Sequence, residues 1–204
     1  MKFRKTNTYS IFKQCVPDYS WQSVLDFGGN RGNLLDGEIN TKRYTCLDIS
    51  KDGLDALPDD VKRIHWNRHH SYYNSNGNPH EPFPKIPWHD IAFANSVFTH
   101  HILDEALYCI RHLSKYTNRI VFTYIDPTND TFLEKFREKY YDLNFDGGDV
   151  SYTRDEKGIL WSAFDTEHLK SHLDYHHINT GTTDWFNYMD IQVRPPTSVG
   201  LVGY

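Results

Sequence analysis

The sequence has no run approaching the ~20 apolar residues that a bilayer-spanning helix needs. Its basic opening, MKFRKTNTYSIFKQ, leads into no apolar core of the signal-peptide kind. A cytoplasmic protein with no membrane partner is therefore expected. Cysteine is scarce: Cys15, Cys46 and Cys109 are odd in number, far apart and without C-x-x-C spacing. That excludes a disulfide framework and a zinc knuckle, leaving buried or half-buried free thiols. Positive charge is also limited, with 22 Lys and Arg against 27 Asp and Glu and a net charge of −5. Proteins that grip a nucleic-acid backbone draw affinity from clustered Lys and Arg, so no nucleic-acid partner is expected. Internal repeats and low-complexity tracts are absent.

Aromatic residues and histidine are abundant: 14 Tyr, 12 Phe, 5 Trp and 12 His. Aromatic-rich clefts suit small organic ligands. The length of 204 residues fits one domain that buries roughly two-thirds of its unfolded surface. Apolar runs of strand length alternate with segments of helical period. Residues 8 to 16 read as an opening helix with Tyr9, Phe12 and Val16 on one side, halted by Pro17, within an N-terminal cap of residues 1 to 20. Strands are expected over Ser23 to Phe27, over RYTCLDIS up to Asp48, and over VKRIHW; a short helix follows Gly32, and LDAL makes a helical turn before Pro58. The stretch from 67 to 87 carries Asn, Gly and four prolines, which argue against regular structure. DIAFANSVF reads as a fourth strand, LDEALYCIRHLSKY as a helix and RIVFTYI as a fifth strand. TFLEKFREKYYDL and DTEHLKSHLDY read as helices, the second capped by Asp165 or Thr166; HHINTG and WFNYMDIQV close the chain as strands. Residues 127 to 164 are expected to be a substrate-side insertion. Such alternation predicts an α/β fold: a Rossmann-like, doubly wound, mostly parallel sheet with an antiparallel closing strand.

In such a sheet ligands bind beyond the carboxyl ends of the strands. The polar oddities of the sequence fall at those ends: Asp26 to Asn33, Asp48, Asn67 to His70, Asn95 to His101, and Asp126. A dinucleotide corner reads G-x-G-x-x-G so that the pyrophosphate rests on a helix N-terminus. From Gly28 this one reads G-G-N-R-G-N, and an acid two residues before the first glycine suits a cation better than a pyrophosphate.

At this point the sequence resembles the class I S-adenosylmethionine-dependent methyltransferases of the small-molecule type. Their first motif, D/E-x-G-x-G-x-G, is matched by Asp26, Gly28, Asn30 and Gly32, with Asn30 in place of the middle glycine. DIAFANSVFTHH resembles the fourth-strand motif D-x-x-x-x-x-S-V-F-T-H, whereas the Pro-Gly-Gly turn before the fifth strand is replaced by SKYTNR. The resemblance covers residues 20 to 126. It implies S-adenosylmethionine as cofactor, S-adenosylhomocysteine as product and a small-molecule acceptor methylated on oxygen or nitrogen by in-line displacement. It places the cofactor on Asp26, Gly28, Gly29, Asn30, Gly32, Asp48, Ile49, Asn67, Asn95 and Phe98, with Asp48 gripping both ribose hydroxyls and Asn67, or Trp66 before it, at the adenine edge. His100, or else His101 or a histidine from residues 65 to 70, is the candidate general base, because imidazole titrates near neutrality. Its competing role is to start a helix. Two readings compete with this function: a nucleotide-binding oxidoreductase on the same fold, and a non-catalytic cofactor-binding module. No metal site is expected; His168, His172 and His176 fall at i, i+4, i+8 and read as a solvated helix face. The aromatic segment 67 to 88, Tyr9, Phe12 and the insertion together predict a lidded aromatic pocket.

Overall fold

The computed structural model describes residues 8–19, 22–129, 133–134, 145, 148–175, 177–183 and 186–193. Strand β1 (Val24–Phe27) is buried along its whole length, as is β2 (Tyr44–Asp48). Continuous burial marks strands covered on both faces. With β3 (Lys62–His65), β4 (His89–Ala94) and β5 (Thr117–Tyr124) they form parallel pairs. β8 (His177–Thr182) and β9 (Asn187–Gln192) complete a seven-stranded sheet of order β3-β2-β1-β4-β5-β9-β8. β9 runs antiparallel to both neighbours, which is the expected antiparallel closing strand.

One face of the sheet carries α3 (Leu103–Leu113) and α4 (Thr166–Ser171), whose Leu107, Ile110, Leu113 and Leu169 meet Leu25, Phe27, Ile120 and Phe122. The other carries α1 (Thr8–Cys15) and α2 (Lys51–Asp55), where Ile11, Phe12 and Leu54 meet Val24, Phe93 and Val121. Alternate residues of β1 thus serve opposite faces, as the pleat requires. Asp165 caps α4 by accepting the His168 N–H at 2.8 Å. A separate antiparallel hairpin, β6 (Val150–Arg154) and β7 (Leu160–Phe164), lies within the expected insertion.

Several expected elements are shorter. The segment after Gly32 is only a 3-10 turn, Asn33–Asp36, and α2 starts at Lys51 because Ser50 caps it, rather than at LDAL. β4 stops at Ala94: Ser96 takes a left-handed φ of 56 and donates its N–H to the Thr123 hydroxyl at 2.8 Å, so the chain leaves the sheet before Phe98. α4 ends at Ser171 with His172 as its C-cap, so the histidine row does not extend along one helix; His176, like most of TFLEKFREKYYDL, lies outside the described residues. Tyr9 and Phe12, expected in an aromatic pocket, pack within the α1 face instead of at the tips of β1 and β2. Phe12 is buried against Phe93 and Tyr19, and the Tyr9 hydroxyl bonds that of Tyr19.

The reversed strand is held by an ion pair. Arg119 on β5 donates to Asp190 on β9 through two nitrogens, at 2.8 and 2.9 Å, and to Asp18 at 3.0 Å. Asp190 is buried, and its carboxylate keeps the Arg119 guanidinium charged despite burial. Asp190→Ala is expected to lower unfolding free energy by about 2 to 3 kcal/mol in urea titration, because it removes the buried partner of a largely buried cation and leaves it only the exposed Asp18. A loss below about 1 kcal/mol would assign the pair the weak role of a surface bridge.

Candidate functional site

The strand order reverses direction between β1 and β4, since the chain builds outward through β2 and β3 and then returns to the other side of β1. That is the switch point where open α/β sheets leave a crevice. At the tip of β1, Gly28 takes φ 74 and donates its N–H to the Leu47 carbonyl at 2.8 Å. A Cβ there would strike the Val97 side chain. Asn30 takes φ 50, so it fills the position of the missing glycine in the left-handed conformation that Asn tolerates.

Asp48, the last residue of β2, fastens this corner. Its Oδ2 accepts the Asn30 N–H at 2.7 Å and its Oδ1 the Ser50 N–H at 2.6 Å. Each oxygen retains a second acceptor site. Burial raises the Asp48 carboxyl above its ordinary range, opposed by the same backbone donors. Beyond these tips lies a cavity of about 260 Å³ whose wall includes Phe27, Gly28, Asn30, Asp48, Trp66 and Tyr73. A second cavity, of about 560 Å³, adjoins it across Ile49, Trp66, His70 and His101.

Of the residues singled out in the sequence, Gly28, Asn30, Asp48, Ile49, Asn95, His100 and His101 line the first cavity. The Asn95 side-chain oxygen accepts from the Thr123 hydroxyl at 3.1 Å. Five others stand elsewhere. Asp26 lies beneath the corner, 2% exposed, accepting the Tyr44 hydroxyl at 2.6 Å. Burial pushes its carboxyl up to about 7, with the Tyr44 hydrogen bond opposing and the Asp48 charge adding. Gly29 presses on that carboxylate: a Cβ there would sit 2.5 Å from Asp26 Oδ2. Gly32 packs against Leu57 and Leu35 on the opposite face. The Asn67 side chain accepts from Asn74 at 3.2 Å and its carbonyl from the Asn78 N–H at 2.8 Å, so it stitches its own loop. Phe98 is core, against Phe27 and Phe122.

Ser50, Ser96, Val97 and Tyr73 also line the cavity without having been singled out, and His70 entered only as one of a group. The segment from 67 to 87 has no periodicity to reveal its path. Reciprocal backbone bonds between His70 and Asn74, both 3.0 Å, fold it so that His70 and Tyr73 reach the cavity. Trp66, at the end of β3, was visible as the alternative to Asn67.

The three cavity histidines have assigned hydrogen-bond roles. His100 donates from Nδ1 to the Leu160 carbonyl of β7 at 2.8 Å, and His101 from Nδ1 to the Val97 carbonyl at 2.9 Å. His70 Nδ1 instead accepts the N–H groups of Tyr72 and Tyr73, each at 3.2 Å. Burial holds all three rings below the usual imidazole range, His70 at about 4. They are therefore neutral at pH 7.

No family model matches the sequence, and no curated protein matches it either. Solved structures do match in shape. The N-terminal domain of EvdMO1, crystallised with S-adenosylhomocysteine bound, superposes with a TM-score of 0.57 at 12% identity over 95% of this chain and 83% of that one. A Pyrococcus horikoshii protein, PH0226, gives 0.56 at 10% identity over 92% of each chain. A Methanosarcina mazei protein described as a SAM-dependent methyltransferase gives 0.51 at 14% identity over 83% of this chain and 91% of that one. The fold is that of the class I S-adenosylmethionine-dependent methyltransferases.

Proposed function

We propose that the chain binds S-adenosylmethionine in the cleft at the tips of β1, β2 and β4 and transfers its methyl group to an oxygen or nitrogen of a small molecule. The observation that carries this reading is Asp48, a buried carboxylate at the end of β2, fixed by two backbone donors and still able to accept two hydroxyls. Asp48 would hold the ribose and Ile49 with Trp66 the adenine side, toward the second cavity. Gly28 and Asn30 would leave bare backbone for the methionine, and Asn95 and Ser96 would lie along its sulfur end. Asp26 would act through the corner it supports rather than by contact. When bound, S-adenosylmethionine supplies an electrophilic methyl on a sulfonium. The residues of the chain then align the acceptor, exclude water and take up one proton.

The oxidoreductase reading is weakened by the glycine register and by β9. A dinucleotide fold has six parallel strands in the order 3-2-1-4-5-6, whereas here an antiparallel strand sits between β5 and β8. Calorimetry with S-adenosylmethionine, S-adenosylhomocysteine and NAD tests the proposal. Binding of the two S-adenosyl compounds is expected, and binding of NAD alone would sink it. Catalytic turnover then separates an enzyme from a binding module. Gly28→Val should abolish S-adenosylhomocysteine binding and lower the melting temperature, since it adds strain of about 1 to 3 kcal/mol at a left-handed φ and displaces Val97. Normal affinity in that variant would move the ligand away from this corner.

A further inference from the structure

We propose that the methyl acceptor is an uncharged phenol lying against His100, and that the β6–β7 hairpin fixes the histidine tautomer that receives the phenolic proton. The proposal rests on the methyl-transfer reading and adds the substrate class and the role of the hairpin.

The first argument is geometric. The Leu160 carbonyl accepts from His100 Nδ1 at 2.8 Å, which places the ring proton on Nδ1. Nε2 is left as a lone-pair nitrogen with no protein partner among the described residues. Trp161, the next residue of β7, meets the ring edge-on at 4.5 Å, and Tyr73 meets it at 5.8 Å. The ring is thus held on three sides by two separate segments. His101 differs in that its Nδ1 bonds within its own turn, to Val97.

The second argument is charge. Among the described residues lining the first cavity there is no Lys or Arg, and Asp48 is the sole carboxylate, already committed at the β2 tip. Desolvating a carboxylate or ammonium acceptor without a partner is costly, so a neutral hydroxyl fits best. The one further acid that His100 senses, Asp155 of the hairpin turn, has its oxygens held by the N–H groups of Lys157, Ile159 and Trp161.

The third argument is shape and acidity. Tyr73 and Trp161 give the surroundings of His100 aromatic walls, and Tyr73, which lines the cavity and is 42% exposed, reaches the surface there. An aromatic ring packs against such walls with its hydroxyl toward Nε2. A phenol, with a pKa of about 10 like that of tyrosine, lies within reach of an imidazole base. An aliphatic alcohol does not. In the step, the oxygen–carbon bond forms as the carbon–sulfur bond breaks with its electron pair left on sulfur. The phenolic proton moves to His100 Nε2 and is then lost to water.

Groups facing His100 are His101 on its own turn, His70 and Tyr73 from the 67–87 segment, and Asp155 from the hairpin. Burial depresses His100, so its neutral form persists below the ordinary imidazole range and protonation removes the base only on the acid side.

The test uses the full chain with 4-methylphenol, 4-nitrophenol, benzoate and benzylamine. Binding is followed by calorimetry and methylation by mass spectrometry, and nitrogen-15 NMR of the histidines reads the tautomer. Wild type should bind and methylate both phenols, with benzoate and benzylamine at least ~100-fold poorer, and His100 should show a protonated Nδ1 and a bare Nε2. His100→Gln should lower kcat for 4-methylphenol by about 10² or more, yet leave 4-nitrophenol, which is ionised at pH 8, within a few-fold. It should not change S-adenosylhomocysteine affinity. The proposal is overturned by equal losses on both phenols, by preference for benzoate or benzylamine, by the opposite tautomer in the wild type, or by S-adenosylmethionine binding with neither phenol bound nor methylated. In each of those cases the methyl-transfer reading survives; failure to bind S-adenosylmethionine at all removes that reading instead. Should His100→Gln not fold, the wild-type tautomer and the acceptor panel still decide.

Discussion

Replacing Asp48 by alanine is expected to weaken S-adenosylhomocysteine binding about tenfold to a hundredfold, the equivalent of about 1.5 to 3 kcal/mol for a lost charge-assisted interaction. The carboxylate has two duties. On the proposed reading it would offer acceptor sites to the ribose, and it pins Asn30 and Ser50, which shape the wall on either side. Removal should therefore raise the dissociation constant through lost contacts and a looser corner together. The fold should survive, because burial already disfavours this charge and its loss relieves that penalty. Calorimetry on a variant with a near-native melting temperature is the measurement. An unchanged dissociation constant would take Asp48 out of the site.

Asp26→Asn should remove a contribution that makes the protein less stable as pH rises from acid to neutral. Burial raises the Asp26 carboxyl to about 7 in the folded protein, against ~3.9 in an unfolded chain. The native state therefore holds this proton more tightly than the unfolded state does. The stabilisation is fully present below pH ~4 and is lost as pH rises through 7, in total roughly 4 kcal/mol. Asparagine cannot ionise, and its oxygen can still accept from Tyr44. Relative to wild type, the variant's melting temperature should thus be about 10 °C better at pH 8 than at pH 4. Calorimetric scans at the two pH values check this. An identical difference at both would mean that the carboxylate is not destabilised where it lies.

Much of the fold was legible because buried parallel strands advertise themselves: VLDF and YTCLD are apolar runs ending in polar punctuation. Strand direction was not fully readable, since a two-residue period is the same in either sense. The antiparallel closing strand was expected from HHINTG and WFNYMDIQV at the end of the chain, but its place between β5 and β8 comes from pairing. The cavity wall divides along the same line. Gly28, Asn30, Asp48, Asn95 and His100 were visible because they end or follow strands. His70 and Tyr73 were obscured by a segment whose path is set by local turns. Asp26 was grouped with the strand-end residues, although the expected strand already ran one residue further, to Phe27. Asp26 pairs with Cys46 and so shares its face of the sheet with Tyr44, Cys46 and Asp48; what keeps it from the cavity is its place one residue short of the strand tip, where Gly29 lies against its carboxylate.

The ties that Arg119 and His100 make to later parts of the chain set an order of assembly. During synthesis the five parallel strands can pair while β5 remains an open edge whose Arg119 has only the exposed Asp18 as partner, because Asp190 is translated some seventy residues later. An exposed edge of this kind invites pairing with another chain. The Leu160 carbonyl arrives in the same interval. A nascent chain that has emerged only as far as β5 would already possess the glycine corner and Asp48, but not the bond that orients His100. On the proposed reading, the residues that would hold the cofactor are therefore in place before the residue that would take the proton is oriented.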